Sequence, residues 1–190
     1  MPRLPPHRHP SPASPFLGSL SPRLSAPSLK AHKVWDSPRI EVIHLDRLYW
    51  HRGWRRTPPG QWVQIQEGAL QGDRWIVEGN YAATLHLRVA AADTIVFFDF
   101  PTAVCLWRSV LRVAKSRRTV RPDMADGCAE RVNLEFLRFI WSFRRAKRPG
   151  IVHLLRHVQG DKHVVYLRSS GEADAFLRRV RQRAMLSAGL

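Results

Sequence analysis

Three apolar runs of the sequence close on a carboxylate. Residues 40–46 read IEVIHLD and end at Asp46, residues 75–78 read WIVE and end at Glu78, and residues 94–100 read TIVFFDF with Asp99 next to last. Short runs rich in β-branched and aromatic residues, bounded by Gly, Pro or polar clusters, read as strands. In an open parallel sheet, ligands sit beyond the carboxyl ends of the strands. An acid there can hold magnesium-bound water, accept a ribose hydroxyl or act as a base. Any single one of these acids serves equally well as a cap for the following turn. Three together point to a site.

The arginines carry the second chemistry. Between residues 108 and 148 there are twelve Lys or Arg against four acids. Arg108 and Arg112 share a helical face with Lys115, and Arg117, Arg118 and Arg121 follow in a polar stretch. Guanidinium forks pair bidentately with phosphate oxygens, and several of them on a closing segment can neutralise a triphosphate during transfer. The alternative is a solvated basic face that meets nucleic acid without sequence preference.

These groups must be positioned by strands alternating with helices, the pattern of an α/β sheet. The reading is a strand at 40–45, an aromatic and basic loop through Tyr49, Trp50 and Trp54, and a helix at 60–71 after Pro58-Pro59. Strands follow at 75–78 and 94–100, the latter apolar throughout as in a sheet covered on both faces. The spacing of Ala103, Trp107, Val110, Leu111 and Ala114 predicts a helix over 102–115 with that stripe packed and the arginines outward. Residues 131–147 continue as a helix with Phe136, Phe139, Ile140 and Phe143 inward. A helix at 150–158, a strand at 163–167 and a helix at 172–186, packing Ala173, Phe176, Leu177 and Val180, complete the pattern.

The first 38 residues differ in kind. They hold nine of the fourteen prolines and one acid, Asp36. Without a periodic apolar face they cannot offset backbone entropy, so 1–38 reads as a disordered tail and 39–190 as the folded domain. No run of about 18 apolar residues exists to span a membrane, and no signal-type segment opens the chain, so a cytoplasmic location is expected. Cys105 and Cys128 lack zinc-site spacing and read as reduced thiols; no residue set reads as a metal ligand group. A formal charge of +16 suits nucleic acid, anionic surfaces and phosphorylated small molecules alike.

The ordered set IHLDRLYW, RWIVEGNY, ADTIVFFDFP, LWRSVLR and RTVRPDM resembles the bacterial DNA topology modulation proteins, relatives of adenylate kinase and similar P-loop kinases, over roughly residues 40–186. The resemblance implies a three-layer parallel sheet of P-loop kinase type with a basic helical lid at about 116–148. It implies ATP and magnesium as cofactors and a small phosphate acceptor as substrate. Asp46 would lead into the acceptor side, and Glu78 with Asn80 and Tyr81 would lie near magnesium and the transferred phosphate. Arg108 and Arg112 would serve nucleotide phosphates at the base of the lid. Arg121 and Asp123 fall in the lid, with Arg131 or Arg138 as a second lid arginine, and Arg88 would reach acceptor phosphate.

Such a kinase needs G-x-x-x-x-G-K-[ST] ahead of the strand at 40–45, because that loop cradles the phosphates. Here the only glycine upstream of Asp46 is Gly18, in FLGSLSPRL, and neither Lys30 nor Lys33 sits in the motif. The expected fold therefore lacks its phosphate loop and its first, central strand, unless the tail supplies a substitute. The first 35 or so residues read as GC-rich coding sequence translated out of frame; divergence to an inactive nucleotide-binding relative is the alternative. Two functions compete: a nucleotide-dependent phosphotransferase with turnover lost, and a basic, non-catalytic nucleic-acid binder. Against the second, Trp75 and Trp107 read as core, leaving no aromatic ladder for single strands.

Overall fold

A computed structural model of the chain describes residues 18–19, 41–115, 123–128 and 133–187. In chain order its elements are β1 (Gly18–Ser19), β2 (Glu41–His44), α1 (Leu45–Tyr49), β3 (Trp50–His51), β4 (Arg55–Arg56), α2 (Pro59–Ala69), β5 (Trp75–Glu78), a single 3-10 turn (Ala82–Thr84), α3 (Leu85–Ala91), β6 (Thr94–Phe98), α4 (Thr102–Lys115), α5 (Leu134–Ala146), α6 (Arg148–Val158), β7 (His163–Leu167) and α7 (Ser170–Ser187). The architecture is mixed α/β. Five strands form one sheet in the order β2-β5-β1-β6-β7, and every neighbouring pair is parallel.

One expectation needs correction. The sheet does have a strand between β5 and β6, and it comes from the segment read as a tail. Ser19 pairs with Glu78 on one side and Val96 on the other, and Gly18 pairs with Ile95. Parallel neighbours flanking a gap would each leave a row of backbone groups unmade, which is costly when buried. Among the described residues, this pair joins the halves of the sheet. The rest of the segment called a disordered tail lies outside the described residues, apart from this pair.

The strands form where apolar runs are longest. Ile95, Val96 and Phe97 of β6 are all buried, as are Trp75, Ile76 and Val77 of β5. Successive side chains of a strand point to opposite faces. Ile95 and Phe97 accordingly enter a cluster with Trp62 of α2, Leu85 and Val89 of α3, Phe143 of α5 and Ile151 and Leu155 of α6. Phe98 leans to a second cluster built from Phe100, Cys105 and Ile140, with Ala173 of α7.

Local chemistry sets the helix ends. Asn133 accepts a hydrogen bond from the Phe136 N–H at 3.2 Å, so α5 begins at Leu134 and not at 131. The Glu172 N–H donates to Ser169 Oγ while its carboxylate accepts from the Arg168 N–H, and these two bonds start α7 at Ser170. Lys162 holds the other edge of the sheet: its Nζ donates to the carbonyls of Ala90 (2.9 Å) and Ala92 (2.6 Å) at the end of α3. The aromatic loop after Tyr49 contains a two-stranded antiparallel ribbon, β3 with β4, turned through Gly53 and Trp54, both at positive φ.

Helix α4 inverts its expected orientation. Trp107 is 64 % exposed and Val110 51 % exposed, while Cys105, Ser109 and Arg112 are buried. The period is right and the face is wrong. Small side chains at 105 and 109 let α4 approach α5 closely, and the Arg112 guanidinium lies 5.7 Å from the centre of the Phe136 ring.

Candidate functional site at the carboxyl edge of the sheet

Register places the first site residues. His44, Glu78 and Ser19 occupy one row across β2, β5 and β1. His44 Nδ1 lies 2.5 Å from Glu78 Oε1. Burial works against a charge on His44. The hydrogen bond and charge of Glu78, with a further pull from the Asp123 carboxylate, outweigh it and raise the imidazole above its ordinary value. Arg47 opposes that rise. Asp123 is thus close enough to His44 for its charge to act there.

Asp46, in the first turn of α1, accepts the Tyr81 hydroxyl at 2.7 Å. Gly79 makes this closeness available. Its φ is +141°, and a Cβ there would stand 2.7 Å from Cβ of Leu45. Only glycine lets the chain turn from β5 toward Tyr81 against α1. Asn80 follows half-buried, and neither its amide nitrogen nor its oxygen has a hydrogen-bond partner among the described residues. Tyr81 also joins Tyr49 and Trp62, with ring centres 4.7 to 5.0 Å apart. That is direct ring packing, which leaves no room for a ligand between them.

Arg88 lies deeper than an acceptor-phosphate residue would. It is 5 % exposed and donates from Nη1 to Gln66 Oε1 at 2.7 Å and from Nη2 to the Tyr81 carbonyl at 3.2 Å. Gln66 is itself fully buried and bonded to Thr84 Oγ1. Burial lowers the Arg88 pKa to about 10, with Tyr81 pulling the other way. A buried cation satisfied by an amide, a carbonyl and no carboxylate joins α2 to α3 from inside.

The second group gathers beyond β6. Arg148 Nε and Nη2 donate to the two oxygens of Asp99 at 2.7 and 2.6 Å. Asp99 is a buried acid held by one bidentate fork, a clamp between β6 and the start of α6. Arg108 Nη2 donates to Ser170 Oγ at 2.6 Å, and its guanidinium lies 5.1 Å from the centre of the Phe100 ring. Cys105, under it, is pushed up to about 11 by burial and is chemically quiet.

Asp46, Glu78, Tyr81 and Asp123 therefore come together beside β2 and β5, whereas Asp99 and Arg108 come together beside β6 and β7. Both groups lie past carboxyl ends of parallel strands. With β1 between them, strands β5 and β6 are about 10 Å apart across the sheet. Arg112 is buried, with its guanidinium against Phe136 of α5. Arg121 and Arg131 lie outside the described residues. Arg138 is exposed on the solvent side of α5.

Sequence reasoning missed His44 and Arg148. His44 is the last residue of β2, at the strand end from which the acids were read, a usable signal. Nothing local marks Arg148, whose partner is 49 residues away. Among the described residues no group of three or more His, Cys, Asp and Glu side chains converges as a metal site, and no helix is long and apolar enough to cross a membrane. No family model matches the sequence, and comparison with curated proteins finds no similar one.

Proposed function

We propose that the chain is an adenylate-kinase-like nucleotide-binding protein descended from ATP- and magnesium-dependent phosphotransferases, without turnover in its present sequence. One observation carries the reading. Neighbouring strands β1 and β6 lead on to strands on opposite sides of them, β2 and β7, and at such a switch point a crevice opens past the carboxyl ends. Glu78 and Asp46 flank it on one side and Arg108 on the other. The strand order also favours a kinase-type parallel sheet as the finer description of the fold.

The residues present do not fit a magnesium-triphosphate complex. Glu78 is bonded to His44, Asp46 holds Tyr81 and Asp99 is occupied by Arg148. No G-x-x-x-x-G-K-[ST] supplies backbone donors and a lysine. A small phosphate acceptor on the Asp46 side and nucleotide on the Arg108 side remain the ligands the arrangement favours. Equilibrium dialysis tests this. The chain is expected to bind ATP no better with magnesium than without, and a version given the phosphate loop just after Ser19 is expected to gain magnesium-dependent binding. No gain in the restored version would reject the kinase ancestry.

A further inference from the structure

Helix α5 presents a solvent stripe that the carboxyl-edge site does not use. Leu134, Arg138, Trp141 and Arg145 recur at i, i+4, i+7 and i+11, all exposed, with Leu134 at 76 % and Trp141 at 68 %. The opposite face of the helix holds Ile140 and Phe143 in the core, so the stripe is turned outward by the packing of the rest. The Trp141 indole makes no ring or hydrogen-bond contact among the described residues, and neither Arg138 nor Arg145 has an acidic partner there. The helix's one acid, Glu135, is directed to Arg56 at 3.9 Å. Arg138 and Arg145 stand roughly 10 Å apart along the axis with the indole between them.

An exposed indole on a monomer surface costs hydration free energy that no neighbour recovers. Its setting says what covers it. A second copy of a chain with a formal charge of +16 would bring cation against cation. A polyanion with planar groups satisfies both features at once, since its phosphates meet the guanidinium groups and a base stacks on the indole. A duplex hides its bases' faces; a single strand offers them.

We propose that α5 is a contact site for single-stranded nucleic acid, with Trp141 as the stacking platform and Arg138 and Arg145 on the phosphates. Sequence preference is weak, because stacking accepts any base. The proposal is independent of nucleotide binding at the carboxyl edge.

Trp107 of α4 provides an internal control. It is about as exposed as Trp141, but its helical neighbours Ala103, Val104, Val110 and Leu111 carry no charge. Anisotropy of a labelled oligothymidylate with the full-length chain is expected to show micromolar or tighter binding at low salt. Trp141→Ala should weaken it on the order of ten-fold, Trp141→Phe should keep most of it, and Trp107→Ala should leave it unchanged. The double change Arg138→Gln and Arg145→Gln should reduce the slope of log affinity against log salt by about 1.4, two contacts at roughly 0.7 each. Equal loss in the Trp107 and Trp141 variants, an unchanged salt slope, or duplex binding as tight as the single strand would each overturn the assignment. All four positions are on the surface, so the variants keep the fold.

Discussion

His44 and Glu78 make a pair whose charge state depends on folding. The Glu78 contact lifts His44 above 6.5, its ordinary value, in spite of burial. A raised folded value means that the protonated imidazole favours the native state. Its contribution is fully present below about pH 6.5 and is lost as pH rises through the higher folded value. Urea unfolding should therefore give a lower midpoint at about pH 8 than at about pH 6, and Glu78→Gln should flatten that difference. An unaltered pH profile in the variant would contradict the pairing. Asp99 and Arg148 form a bidentate pair and call for a different test. Arg148→Ala strands a buried carboxylate and should cost about 3 kcal/mol in urea denaturation, whereas Asp99→Asn, which removes the buried charge, should cost less. The acids at the strand ends were legible because strands announce themselves by composition. Their partners were not, since a side chain's choice among distant groups is made by packing.

At the scale of elements, periodicity identified the four longer strands and the five longest helices, and burial decided what it could not. The strand expected at 94–100 spans Thr94–Phe98 and the helix at 102–115 was placed to the residue. The face of α4 was misjudged because apolar residues outnumber small ones on its outer stripe, while contact with α5 rewards Cys105 and Ser109 for their size. The β3–β4 ribbon escaped because two-residue strands have no period to detect. Gly79 shows an element-scale dependence on one backbone angle. Gly79→Ala places a methyl group against Leu45 at a φ that side chains avoid, and a loss of about 2 kcal/mol or more is expected by thermal or urea unfolding.

For the molecule as a whole, the sheet is joined through β1. Ser19→Pro removes a backbone donor in the strand that, among the described residues, touches both β5 and β6. A cost of about 2 kcal/mol for the lost ladder bond corresponds in a chain of this size to a fall of about 6 °C in Tm, readable by circular dichroism. An unchanged melt would show that the two halves hold without the bridge. The sequence pattern did not reveal this strand, because Gly18 and Ser19 have no strand propensity and are held there by the open edges of their neighbours.

Lys162, whose ammonium group grips the last carbonyls of α3, gives the fold a built-in reporter. An amine so occupied acylates faster when that corner opens, whereas Lys147 is exposed throughout. The ratio of label at the two lysines, read by mass spectrometry, would follow breathing of the amino edge without unfolding the protein.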